Sequence, residues 1–265
     1  MSTARYTQLP PSYDDGAANN SAAEIGGAAL RPGQPENSDD IPDDFKYGVT
    51  VGQSEISIRH DFIRKVYTIL TVQLLATTAV GAYLRHIDAT SGFLLQHVWT
   101  VYAAMAGTFV SMFGLWWKRD SHPTNVVFLS TFTFFEAYVV GAASAFYSST
   151  VVLQALAITL GLFIVLTLFT MQSRYDFSNL GPILFFALCA IIMVGLVQIF
   201  LPFNKTFDLI IAAVTAVVFC GYIMYDTYMI MNHFTPDDYI FASLALYLDV
   251  INLFLAILRI LSDRD

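Results

Sequence analysis

Polar positions thin out after residue 58. From there the chain reads as seven apolar stretches, at 62–84, 94–117, 125–147, 150–171, 180–201, 207–231 and 239–261. Each is close to the ~20 residues that cross a hydrocarbon core. Backbone groups inside a bilayer find no water to bond, so such runs are expected to be helices. The intervening loops are short, down to residues 148–149. Aromatic side chains collect at several ends, Trp116, Trp117, Tyr147 and Tyr175 among them, as an interfacial belt does. The pattern predicts an all-α polytopic membrane protein with seven transmembrane helices behind a disordered N-terminal tail.

Composition agrees. Hydrophobic residues make up 56% of the 265 and charged residues 13%, whereas about a quarter of a soluble domain is charged. The net charge of −8 is uneven: residues 1–58 hold nine acids and three bases. The acidity therefore belongs to the tail and does not suggest nucleic acid as a partner. The tail also carries five of the nine prolines and too few large apolar residues for a core. Residues 1–58 are read as an acidic cytosolic tail and 59–265 as the transmembrane domain. The polar start has no signal-peptide pattern, so the first membrane helix is expected to direct insertion. Within the tail, Pro10, Pro11 and Tyr13 form a PPxY sequence. A polyproline II turn followed by tyrosine suits the groove of a WW domain, which makes a WW-domain ubiquitin ligase a candidate partner.

Lysine and arginine set orientation. Lys46, Arg59, Arg64, Lys65, Lys118, Arg119 and Arg174 fall on the N-terminal side, against Arg85, Lys205, Arg259 and Arg264 on the other. That bias favours a cytosolic N-terminus. Seven crossings then put the C-terminus on the far side, unless the last stretch is re-entrant. Asn204-Lys205-Thr206 is a glycosylation sequon in a loop expected to lie too close to the membrane to be used. Cys189 and Cys220 lie inside apolar runs and are read as small core residues. No pattern calls for a cofactor.

Three acids interrupt the apolar stretches: Glu136, Asp226 and Asp249. An ionisable group at bilayer depth is a functional-site hypothesis; the plain alternative is a packing group hydrogen-bonded across helices. Asp226 and Asp249 flank one turn of an antiparallel hairpin, about 9 Å and 16 Å deep by residue count. Side-chain reach and helix tilt can close that offset, although spacing alone does not establish contact. Two carboxylates in contact share a proton, which suits a pH sensor, an ion site or an acid–base dyad.

The segments IPDDFKYG (41–48), IRHDFIRKVYTILTVQLL (58–75), FTFFEAY (132–138), CGYIMYDTYMIM (220–231) and PDDYIFASLALYLDVINLFLAILRIL (236–261) together resemble the transmembrane Bax-inhibitor, or lifeguard, family, and within it the Golgi anti-apoptotic protein branch. The resemblance covers about 42–261. It implies a seven-helix protein of an internal membrane (endoplasmic reticulum, Golgi or vacuole) that leaks calcium in a pH-dependent way and restrains cell death. The family's aspartate pair falls on Asp226 and Asp249. A basic partner for the pair falls on Arg119, or else on Lys118, in LWWKRDSHP (115–123). Glu136 matches an acid of the branch.

On this reading calcium is the permeating ion, and Glu136, Asp226 and Asp249 line its path. Asp226 and Asp249 would be weak calcium ligands, because a tight site traps an ion that must leave. Membrane lipid and cell-death regulators are the other expected partners. A second reading within the family is a non-conducting regulator that binds other membrane proteins. A reading from another class is an intramembrane aspartyl protease, for which Tyr225-Asp226 fits. Leu246, Tyr247 and Leu248 stand before Asp249 where such an enzyme needs Gly-x-Gly. A seven-helix receptor would need the opposite orientation.

Overall fold

The computed structural model describes residues 50–54, 56–86, 90–119, 121–201 and 204–262, with the side chains of Gln53, Thr90 and Ser91 left aside. All lie within one unit, Pro42–Asp265. The PPxY sequence falls outside the described residues.

The helices follow the apolar pattern: α1 Ile56–His86, α2 Thr90–Gln96, α3 Trp99–Trp117, α4 Thr124–Ser144, α5 Ser149–Gln172, α6 Leu180–Phe200, α7 Lys205–Asn232 and α8 Tyr239–Ser262. Helices α1 and α4 to α8 are six of membrane-crossing length and hydropathy. Helix α3 has 19 residues, ~28 Å of length, but its Trp, Gly, Thr and Ser residues lower its hydropathy. The protein is thus an all-helical polytopic membrane protein with six to seven membrane-length helices.

Two boundaries differ from the sequence pattern. The stretch at 94–117 is not one helix. It breaks at His97 and Val98, where the His97 carbonyl accepts from both the backbone N–H and the hydroxyl of Thr100, at 2.9 and 2.8 Å. Those i+3 bonds replace the next helical one and turn the chain. The end of the stretch read as tail is also structured. A 3-10 turn at Val51–Gln53 precedes α1, Val51 is fully buried, and its N–H donates 2.9 Å to the Phe234 carbonyl.

Helix α8 is the axis of the bundle. Its span is 72% buried, against 6% for α6, and it packs on α7, α1, α5 and α4. The sequence explains this: small Ala242, Ser243 and Ala256 between large Leu246, Tyr247, Leu253 and Phe254 let neighbours approach closely, and polar Ser243 and Asp249 are kept from lipid inside the bundle. Small residues set the other crossings. Gly81 of α1 meets Gly141 of α4 backbone to backbone, and Gly107 and Gly114 of α3 receive the rings of Phe135 and Phe128 from α4.

Candidate functional site

The site is built on the α7–α8 hairpin. Helix α7 ends at Asn232, and the His233 and Phe234 N–H groups both close onto the Met229 carbonyl, at 2.7 and 3.0 Å. The next residues form a capping box. The Thr235 hydroxyl donates 2.6 Å to Asp238 Oδ2 and the Thr235 N–H turns to the same oxygen, with Pro236 at the first position of the 3-10 turn. This hydrogen-bonded turn fixes how α8 returns beside α7.

The hairpin brings Asp226 and Asp249 together, carboxyl to carboxyl within hydrogen-bond reach. The offset expected from residue counting is absorbed by the way the two helices pack. Asp249 is 4% exposed, and its Oδ2 has no partner other than its acidic neighbour to turn to. Tyr222, one turn before Asp226 on α7, lies within electrostatic range of both carboxyls, as of Tyr225 and of Cys189 on α6. Cys189 and Cys220 are free and partly buried. Among the described residues no third histidine, cysteine or carboxylate joins the pair in a metal-holding group.

Glu136 does not join the dyad. It projects from α4 toward Thr108 of α3, with which it hydrogen bonds, and its charge reaches Tyr247 of α8. Tyr247 is fully buried, shares a 2.8 Å hydrogen bond with the Thr77 hydroxyl and meets the Phe132 ring edge-on. Tyr247 and Asp249 are two residues apart, about 200° around a helix, so they face opposite sides of α8. The three acids expected along one path therefore form two sites, separated by the central helix.

Arg119 also lies elsewhere than expected. It pairs with Asp238, through both Nη2 and Nε, and its guanidinium covers the Phe241 ring at 5.2 Å. It sits just past the end of α3, level with the hairpin turn. Asp249 lies eleven residues beyond Asp238, ~16 Å along the helix, out of reach in this arrangement. Lys118 is exposed, and its backbone N–H closes α3 on the Gly114 carbonyl.

Several polar groups at this depth were not singled out from sequence. Gln73 of α1 donates 2.9 Å to the Thr133 hydroxyl of α4. Arg85, at the other end of α1, binds the Ser144 and Tyr147 carbonyls and the Ser149 hydroxyl, clamping the α4–α5 turn. Tyr67, Thr167 and Thr227 place hydroxyls inside the bundle. The available signal was a hydroxyl or amide in an otherwise apolar run. A lipid-facing groove of about 380 Å³ between α1 and α4, lined mainly by Val72, Ala76, Leu129 and Phe134, includes neither dyad residue.

Comparison with known proteins places this geometry. Residues 59–265 match the family described as Inhibitor of apoptosis-promoting Bax1. The chain belongs to the Bax-inhibitor, or lifeguard, family. It is 39% identical over 260 residues to Bax inhibitor 1 of Schizosaccharomyces pombe, covering 98% of this chain and 92% of that one. To the Golgi anti-apoptotic protein of Vaccinia virus (strain Lister) it is 42% identical over 221 residues, 83% of this chain and 93% of the viral one. To Protein lifeguard 4 of Mus musculus it is 37% identical over 230 residues, 87% and 95% of the two chains. Bax-inhibitor proteins are non-enzymatic, so the protease reading of the aspartate pair is set aside. What a Bax-inhibitor hairpin holds here is a carboxyl pair buried between two helices.

Proposed function

We propose that this Bax-inhibitor protein is a pH-sensitive calcium leak path in an internal membrane, with a cytosolic N-terminus, and that it restrains cell death by lowering store calcium. The observation that carries this is the buried contact between Asp226 and Asp249. Two acids in contact titrate as one unit, and α8, the packing axis, carries one of them. A change of charge there bears on every helix that touches α8. Glu136, across α8 from the pair, is a third acid, which the candidate path would meet at a separate point.

The test is calcium flux in liposomes against pH for wild type, Asp226→Asn, Asp249→Asn and the double variant. Each single variant is expected to flatten or displace the pH response, and the double to add little, because both remove one switch. Single variants that keep the wild-type pH profile would show the acids to be packing groups.

A second reading, a non-conducting regulator that binds other membrane proteins, is favoured by α6. That helix is only 6% buried in the bundle and offers an apolar face to lipid or to a partner helix. Wild-type protein that conducts nothing in liposomes yet restrains cell death would favour it. The PPxY tail extends either reading. A tail peptide is expected to bind a WW-domain ubiquitin ligase, and Tyr13→Ala to abolish binding; equal binding of both peptides would remove the ligase.

A further inference from the structure

Helices α1 and α4 run side by side in the same direction. Both start at the hairpin-turn end, where Val51 bonds Phe234 and Arg119 pairs with Asp238. Gln73 meets Thr133 and, about two turns on, Gly81 meets Gly141. The glycine pair brings the backbones together: a Cβ on Gly141 would stand 3.3 Å from the Gly81 Cα. Nearer the hairpin turn the helices leave a gap. It is the groove of about 380 Å³ described above, running from Thr68 and Val126 to Val80 and Ala137, with Ile240 of α8 also lining it. By residue count it is about 17 Å long.

The groove has no charged residue in its lining. Its hydroxyls donate within their own helices: Thr68 to the Arg64 carbonyl, Ser130 to Val126 and Thr133 to Leu129, at 2.7 to 2.9 Å. Gln73 Nε2 donates to Thr133. Gln73 is 4% exposed, and its Oε1 has no partner. A buried amide oxygen left unmatched is destabilising. What these groups leave for a ligand is therefore mainly acceptor oxygen, on Gln73, Thr68 and Ser130. Ser130 lies one turn above Thr133, and Thr68 lies five residues above Gln73, so all three are in the half nearer the hairpin-turn surface. Ala76, Val80 and Ala137 make the other half apolar.

This lining matches a neutral, apolar body with one hydroxyl at its surface end. The acyl chain of a phospholipid has no donor for those oxygens. A flexible long-chain alcohol has one but loses chain freedom on binding, which a rigid body does not. Arg64 and Lys65 are exposed one turn above Thr68 and lie outside the groove, so the groove itself does not select an anion. Its volume lies in the range of small-molecule sites.

We propose that the α1–α4 groove binds a sterol, with the hydroxyl donating among the Gln73, Thr68 and Ser130 oxygens and the ring body lying on Val72 and Ala76 toward the Gly81–Gly141 crossing. The site is separate from the carboxyl pair, neither member of which lines it. A molecule bound there touches two helices that both pack on α8, so it stabilises the folded bundle.

The experiment reconstitutes full-length protein in phosphatidylcholine liposomes with a sterol that carries a photoactivatable diazirine in its ring body. Labelled peptides are read by mass spectrometry. Label is expected within residues 68–80 and 126–137, and excess unlabelled sterol is expected to remove it. The 3-keto analogue, which lacks the donor, is expected to compete about tenfold less well. Gln73→Met, which keeps the volume but loses the acceptor, is expected to narrow that preference. Ala76→Phe and, independently, Ser130→Leu fill the groove and are expected to abolish the label. Sterol is also expected to raise the thermal midpoint of wild type in detergent and not that of the filled variants, whose own midpoints show that they fold. Label that persists in the filled variants, or that a diacylglycerol removes as well as sterol does, shows bulk lipid in the groove and overturns the site. Label spread equally over the lipid-facing α6 does the same. Equal competition by the ketone overturns the role of the acceptor oxygens, and with it the choice of a sterol.

Discussion

Arg119 holds the hairpin turn, not the dyad, and the consequence is measurable. Its side chain is 51% exposed, so solvent screens the pair with Asp238 and its contribution is about 0.2–1 kcal/mol. Arg119→Ala and Asp238→Asn are expected to lower the thermal midpoint by similar small amounts, and the double variant by less than their sum, because they share a partner. Purely additive losses would show that the pair does not act as a unit. Asp176, in the loop between α5 and α6, gives a pH prediction. The Ser178 hydroxyl, then the Ser178 N–H at 2.9 Å and the Tyr228 hydroxyl, hold its carboxyl below the usual carboxylate range. A depressed group contributes stability that is present above its unfolded pKa and lost as pH falls through the folded one. Hydrogen-exchange protection in residues 173–179, corrected for the intrinsic pH dependence of amide exchange, is therefore expected to be flat at neutral pH and to fall only in acid below the ordinary carboxylate range. Asp176→Asn should remove that acid step.

At the scale of elements, the close crossings set what each helix tolerates. A Cβ on Gly114 would stand 2.4 Å from the Phe128 ring, and one on Gly107 2.7 Å from Phe135. Gly114→Val is expected to push α3 off α4 and cost about 1–3 kcal/mol, read as a lower thermal midpoint in detergent. Gly161, with open space around it, should accept alanine with little change. The segment before α1 makes a similar contact. A Cβ on Gly52 would meet the Asn232 carbonyl at 3.0 Å, so Gly52→Val should loosen the turn at Val51–Gln53 and speed exchange of the Val51 N–H. A protected Val51 N–H in that variant would show that the turn shifts without letting go.

At the scale of the whole molecule, the pairings sort the loops into two sets. Arg119 with Asp238 and Val51 with Phe234 gather the N-terminal turn, the α3–α4 loop and the α7–α8 turn at one end. Arg85 with Tyr147 and Ser149 ties the end of α1 to the α4–α5 turn at the other. That alternation needs α3 as a crossing, although its hydropathy is the weakest of the seven. In protein with Cys189 and Cys220 replaced by alanine, a membrane-impermeant thiol reagent should label Ser54→Cys, Ser121→Cys and Asp237→Cys from one side and Phe146→Cys from the other. Labelling of Ser54→Cys and Ser121→Cys from opposite sides would remove α3 from the count.

The sequence by itself determined that the chain is a bundle of membrane helices, because an unbroken apolar run has one low-energy answer in a bilayer, and residue count decides its length. It also marked Asp226, Asp249 and Glu136, since a charge among apolar residues is visible one position at a time. The family resemblance rested on the same local strings. What tertiary structure decided is who meets whom. Asp226 and Asp249 touch because the Thr235–Asp238 capping box fixes the return of α8. Glu136 is kept from them because Tyr247 and Asp249 face opposite sides of one helix. Arg119 takes Asp238 because distance across the surface, not order along the chain, selects a partner. The neighbouring hydroxyls of Tyr67, Thr167 and Thr227 come from three helices separated by sixty residues or more in sequence. No local pattern joins them; packing in three dimensions does.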